Sequence, residues 1–131
     1  MINTPEENND TLPIKTAIEW AFDSEINEND TVSFLQICLG LEAILGYELD
    51  HKEQPLSKTL ADRCAYLIGM NIQERKRIKD DFKKLYDLRS KLVHGRAVRL
   101  HDNEKVYLNW GKEILNRVIL KEMEYLKLDE K

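Results

Sequence analysis

Within this 131-residue chain, the run Leu85-Tyr86-Asp87-Leu88-Arg89-Ser90-Lys91-Leu92-Val93-His94-Gly95 gathers side chains that can bind an anion and move a proton. Read as helix, Arg89 shares its flank with Phe82, Leu85, Tyr86, Leu92 and Val93, three, four or seven positions away. Its guanidinium therefore projects from a mostly apolar face. A cation withdrawn from water is costly unless it is paired, so Arg89 calls for a carboxylate, a phosphate-bearing ligand or a neighbouring subunit.

Glu42 is the best internal partner, because Cys38, Leu39, Leu45 and Gly46 around it are non-polar. A pair between the two would hold the guanidinium in one orientation. Two blander readings stand beside it: the pair only locks two helices together, or Glu42 pairs instead with Arg63, which Leu60, Tyr66 and Leu67 also place near the core. His94 follows Arg89 by five positions, so on an ideal helix the two point roughly 140° apart. They can serve one ligand if the helix ends near Gly95 and His94 swings on the last turn, or if two such helix ends meet across a symmetric interface. A histidine at a helix C-terminus is also favoured by the helix dipole with no chemical role at all. Ser90 and Lys91 can assist Arg89 in holding phosphate oxygens, although exposure alone accounts for both. His51 and His101 lie in polar segments and read as surface residues.

The elements that must position these groups are helical. A polar segment covers residues 1–11, and the single domain is expected over 12–131. A first helix is predicted over 13–26, where Ile14, Ala17, Ile18, Ala21 and Phe22 repeat at helical spacing. Asp30 or Thr31 can cap a second helix to about Tyr47, with Phe34, Ile37, Cys38, Leu41, Ile44 and Leu45 on its apolar face. After a polar loop containing Pro55, Ser57 can cap a third helix that Gly69 ends. A fourth opens at Asn71 and reaches Val93, burying Ile78, Phe82, Leu85, Leu88 and Leu92, with Gly95 as its stop. Residues 96–107 read as a loop, with a short extended piece over 105–108. A last helix follows over 109–128 and carries Ile114, Leu115, Val118, Ile119, Met123 and Leu126. Five helices with short connections imply an all-α, mostly antiparallel bundle.

Composition agrees with this class. Charged residues make up 34% of the chain and hydrophobic ones 42%, with five glycines and three prolines, which suits a helical protein better than a disordered or all-β one. No apolar run approaches the roughly 20 residues of a bilayer span and the start resembles no secretory signal, so a soluble cytoplasmic protein with no membrane partner is expected. Cys38 and Cys64 sit in apolar helical patterns without a second ligand nearby, so no metal or cofactor is expected. There is no Gly-rich phosphate loop, no His-Glu-x-x-His and no Gly-x-Ser-x-Gly. The net charge of −4 argues against a protein that coats nucleic acid. Residues 71–101 nevertheless carry ten basic and four acidic side chains, a local +6 that leaves −10 for the rest. A polyanion could approach this one segment, where Lys83, Lys84, Arg96 and Arg99 are its candidate contacts, although a solvated helix face explains the run equally well.

The stretch Arg89-Ser90-Lys91-Leu92-Val93-His94 resembles the Arg-x-x-x-x-His signature of the HEPN superfamily, with its small polar residue after the arginine. Together with Leu41-Glu42-Ala43-Ile44-Leu45 and Leu60-Ala61-Asp62-Arg63-Cys64-Ala65, it is similar to the Apea-like branch over about residues 34–95. The resemblance implies a dimeric helical bundle with metal-independent ribonuclease activity, of the kind used in toxin and antiphage defence systems. By position it makes Arg89 and His94 the catalytic pair, Ser90 an accessory group and Glu42 a supporting acid. Single-stranded RNA, including tRNA loops, is the implied substrate. An antitoxin or defence-system protein is a further implied partner, and non-catalytic dimerisation or partner-binding modules also occur in the superfamily.

Overall fold

The computed structural model describes residues 5–46 and 56–129, with side chains described over 11–46 and 56–127. It is all-helical among these residues: α1 (Pro5–Ile26), α2 (Asp30–Leu45), α3 (Leu56–Ile68), α4 (Ile72–Val93) and α5 (Lys105–Asp129), with a 3-10 turn over Asp102–Glu104. The ends follow local chemistry. Asn29 caps α2 by accepting from the amides of Thr31 and Val32 at 3.0 and 3.1 Å. Asn71 caps α4 by accepting from the Glu74 amide at 2.8 Å, and the Glu74 carboxylate accepts from the Met70 amide in return at 2.7 Å. At the far end of α4 the Arg96 amide reaches back to the Lys91 carbonyl at 2.8 Å, a Schellman closure that requires Gly95 at φ +75.

The core is organised on α2. Its Phe34, Ile37, Cys38 and Leu41 are fully buried, with Leu60 and Cys64 from α3, Phe82 and Leu85 from α4, and Leu115 and Val118 from α5. α1 lies mainly against α2 and α5, and α4 mainly against α3. Gly40 allows the close approach of α1, α2 and α5: a Cβ there would sit 2.8 Å from Leu115 and 3.3 Å from Trp20. Phe82 stacks on Tyr86 at 5.2 Å and meets Trp110 edge-on at 6.3 Å, joining α4 to α5.

Several expected boundaries shift. α1 begins at Pro5 and contains Pro13, so residues 5–11 are helical; a proline is readily accommodated in a first turn, and here that role falls to Pro5. Asn29, and neither Asp30 nor Thr31, caps α2, while Ser57 lies inside the first turn of α3. The extended piece expected over 105–108 is the start of α5. Glu104 accepts from the His101 amide at 2.9 Å in the preceding turn, and Leu108 buries itself at helical spacing from Gly111 and Leu115, which outweighs the strand preference of Val106 and Tyr107. Ile18, Phe22 and Met123, which belong to the apolar repeats of the first and last helices, are exposed. The expected helical extension to Tyr47 and the placement of Pro55 and His51 lie outside the described residues. No described helix is long and apolar enough to cross a membrane.

Candidate functional site

α2 and α4 meet where Cys38 and Glu42, one turn apart, face Tyr86 and Arg89, also one turn apart. Glu42 Oε2 accepts from Arg89 Nε at 2.9 Å, and Oε1 lies 3.5 Å from Nη2. The Tyr86 hydroxyl donates to the same Oε2 at 2.9 Å, with the Cys38 carbonyl at 3.4 Å. The guanidinium carbon stands 5.6 Å from the centre of the Tyr86 ring. Glu42 thus orients Arg89 on one edge while the phenol supports it on a face. The alternative pairing of Glu42 with Arg63 is not formed, since Arg63 Nη1 donates to the Leu45 carbonyl at 3.1 Å, at the end of α2.

The pair sits at the rim of the core: the side chains of Arg89 and Glu42 are 27% and 22% exposed. Arg89 Nη1 makes no hydrogen bond among the described residues and remains a donor. Burial, and after it the neighbouring Cys38 and Glu42, pushes the Tyr86 phenol far above its ordinary range, so it stays a neutral donor to the carboxylate. Burial likewise raises the Cys38 thiol, with Glu42 adding to the effect. These two groups supply neither a base nor a nucleophile near neutral pH.

Beside Arg89 a depression of about 270 Å³ is lined by Leu56, Ser57, Tyr86, Asp87, Arg89 and Ser90. It offers one fixed cation and the Ser57 and Ser90 hydroxyls, which can hold phosphate oxygens, beside the Asp87 carboxylate, which opposes an anion. His94 lies elsewhere on the helix. It is the exposed C-cap of α4, with φ −91 and ψ 9, and its amide still donates to the Ser90 carbonyl at 2.9 Å. Helical register therefore persists to His94, there is no swing on the last turn, and its side chain leaves the axis roughly 140° from that of Arg89.

Of the other expected contacts, Ser90 joins the Arg89 depression. Lys83, Lys84 and Lys91 are exposed, and Lys83 and Lys91 share the outward face of α4 with His94. Arg96 is exposed in the connection, whereas Arg99 lines a separate depression at the start of α2 in which Lys105 bridges Asp30 at 3.2 Å and Asp102 at 3.4 Å. Glu42, Arg89 and Ser90 are brought together, while His94 and Arg99 are not brought to them within one copy. Tyr86 is the member that sequence reasoning treated only as a neighbour. A phenol one turn before a semi-buried arginine, on the same flank, was its available signal. Comparison of the chain with protein-family models, curated proteins and solved structures found no match in any of the three.

Proposed function

We propose that this chain is a metal-independent endoribonuclease of the toxin or antiphage-defence type, with Arg89 and His94 acting in a cleft between two copies. The observation that carries the reading is a guanidinium held by Glu42 and Tyr86 at the rim of the core, its Nη1 without a hydrogen bond among the described residues, five positions before the exposed histidine that caps the same helix. Likeness to the HEPN signature supports it. Because the two side chains leave one helix in different directions, the His94 that meets Arg89 belongs to the second copy. In this cleft His94 takes the proton of a ribose 2′-hydroxyl, and that oxygen attacks the adjacent phosphorus. The bond to the 5′-oxygen breaks and that oxygen takes up a proton, leaving a 2′,3′-cyclic phosphate and a 5′-hydroxyl end. Arg89 stabilises the charge gathering on the phosphate oxygens, and Ser90 and Lys91 assist. Single-stranded RNA is the substrate, since a duplex resists in-line geometry.

The test is cleavage of total RNA by purified protein in EDTA, with end-group analysis. Arg89→Ala and His94→Ala should each abolish cleavage while the fold survives. Undiminished cleavage by both variants overturns the assignment. A second reading, a non-catalytic pairing or antitoxin-binding module, is favoured by one observation: the charge of Arg89 is already compensated by Glu42. On that reading purified protein leaves RNA intact, and Arg89→Ala changes assembly or stability.

A further inference from the structure

α1 carries more apolar surface than its neighbours cover. Phe22 and Ile26 are each 64% exposed and Ile18 is 43% exposed, while Leu120 on α5 is 62% exposed. Ile18, Phe22, Ile119 and Leu120 line a groove of about 460 Å³ between α1 and α5. With Met123, the exposed side chains present roughly 500 Å² of apolar surface, taking about 200 Å² for a large side chain in full exposure. That is at the upper end of what a monomer usually shows, and with a polar rim it approaches the roughly 800 Å² that each partner of a specific complex buries.

The charges around this face specify the occupant. Lys15, Ile18, Phe22 and Glu25 share one side of α1, spaced by three, four and three residues. The spacing is symmetric about Trp20: Ile18 and Phe22 stand two positions either side of it, and Lys15 and Glu25 five. Lys15 is exposed and forms no ion pair among the described residues, while the Glu25 side chain is 63% exposed despite its 3.5 Å contact with Lys112. A two-fold axis at the level of Trp20 therefore sets each helix antiparallel to its copy, Ile18 against Phe22 and Lys15 against Glu25, at both ends of the contact. Such self-complementarity is what an isologous interface requires.

We propose that a second copy of this chain docks on the α1 face, α1 against antiparallel α1, with Phe22 of each copy filling the α1–α5 groove of the other. This pairing is separate from the joint cleft proposed for Arg89 and His94, because α1 packs on α2 and α5 whereas α4 packs mainly on α3. It stands or falls independently of the ribonuclease reading.

The experiment is sedimentation equilibrium of the whole chain, up to about 100 μM, in an Arg89→Ala background to weaken pairing at α4. Phe22→Glu should weaken association about thirtyfold or more, as expected for an anchor at an interface centre. Lys15→Glu and Glu25→Lys should each weaken it about tenfold, and the double reversal should restore it to within about threefold of the parent. Circular dichroism establishes that each variant is folded. A parent that stays monomeric throughout overturns the proposal and leaves the face to a different protein. Association indifferent to Phe22→Glu, or a double reversal no better than the single changes, also overturns it.

Discussion

Removing Glu42 tests the premise that the guanidinium is held. With contacts of 2.9 and 3.5 Å between the two groups, an effective charge separation of about 4 Å gives an attraction of about 4 kcal/mol at an effective dielectric constant of about 20. Both side chains are about three-quarters withdrawn from solvent, and their desolvation offsets more than half of that gain. A net coupling of about 1–2 kcal/mol remains, above the ~0.2–1 kcal/mol of exposed pairs. Glu42→Ala should cost more than this coupling, about 2–4 kcal/mol, because it strands the guanidinium and leaves the buried Tyr86 hydroxyl only the Cys38 carbonyl at 3.4 Å. Arg89→Ala should cost less, since Glu42 retains the phenol. The double variant should then be more stable than the sum of the single losses predicts, by the coupling. Urea denaturation followed by circular dichroism measures all four proteins, with an unchanged slope as the condition for comparing them. Coupling below about 0.3 kcal/mol would mean the pair does not constrain Arg89, and the case for an oriented guanidinium would fail with it.

Two more predictions follow from burial and backbone geometry. Burial pushes the Cys64 thiol up to about 12, and raises Cys38 and Tyr86 as well, so the fold favours their protonated forms. Their contribution is complete below the unfolded thiol value of about 8.5 and is lost as pH rises toward the folded values. The urea midpoint should therefore hold near neutrality and fall above about pH 9, with a shallower fall in Cys64→Ala; a flat alkaline profile would refute this. Gly95→Ala should lower stability by about 1 kcal/mol and Gly95→Asn by less, as judged by thermal melts. The positive φ alone sets that cost, since nothing lies within 4 Å of an added Cβ.

The ends of α4 were legible because Asn71 and Gly95 have strong local preferences that tertiary packing did not override. Glu42 and Arg89 could be matched because each is a charge among apolar helical neighbours, and two such anomalies call for one another. Tyr86 escaped this logic: a phenol is at home in a core, and its acceptor stands 44 positions earlier, on another helix. Ser57 was expected to cap α3 but lies within its first turn, and its place beside Arg89 depends on how α3 starts against the end of α4. The exposure of Ile18 and Phe22 was hidden for a related reason. Periodicity marks an apolar stripe broader than one contact, and only the positions of α2 and α5 decide which part of it is covered.

The helical register at His94 has a consequence for assembly. A swing of the last turn would have let a single copy present both groups to one phosphate, but the hydrogen bond that the His94 amide donates to the Ser90 carbonyl keeps His94 on the outward face of α4. A ribonuclease reading therefore requires a second copy at α4, whereas the α1 face calls for one on another side of the bundle. Two isologous contacts on one chain do not stop at a dimer. If their axes intersect at right angles they close a four-chain particle, other even divisions of a half-turn close larger rings, and axes that do not meet extend into an open array. Phe22→Glu should remove one step of that assembly and leave the α4 pairing, together with any RNA cleavage it supports, in place. Loss of both together would show that the α1 face and the Arg89 cleft belong to a single interface.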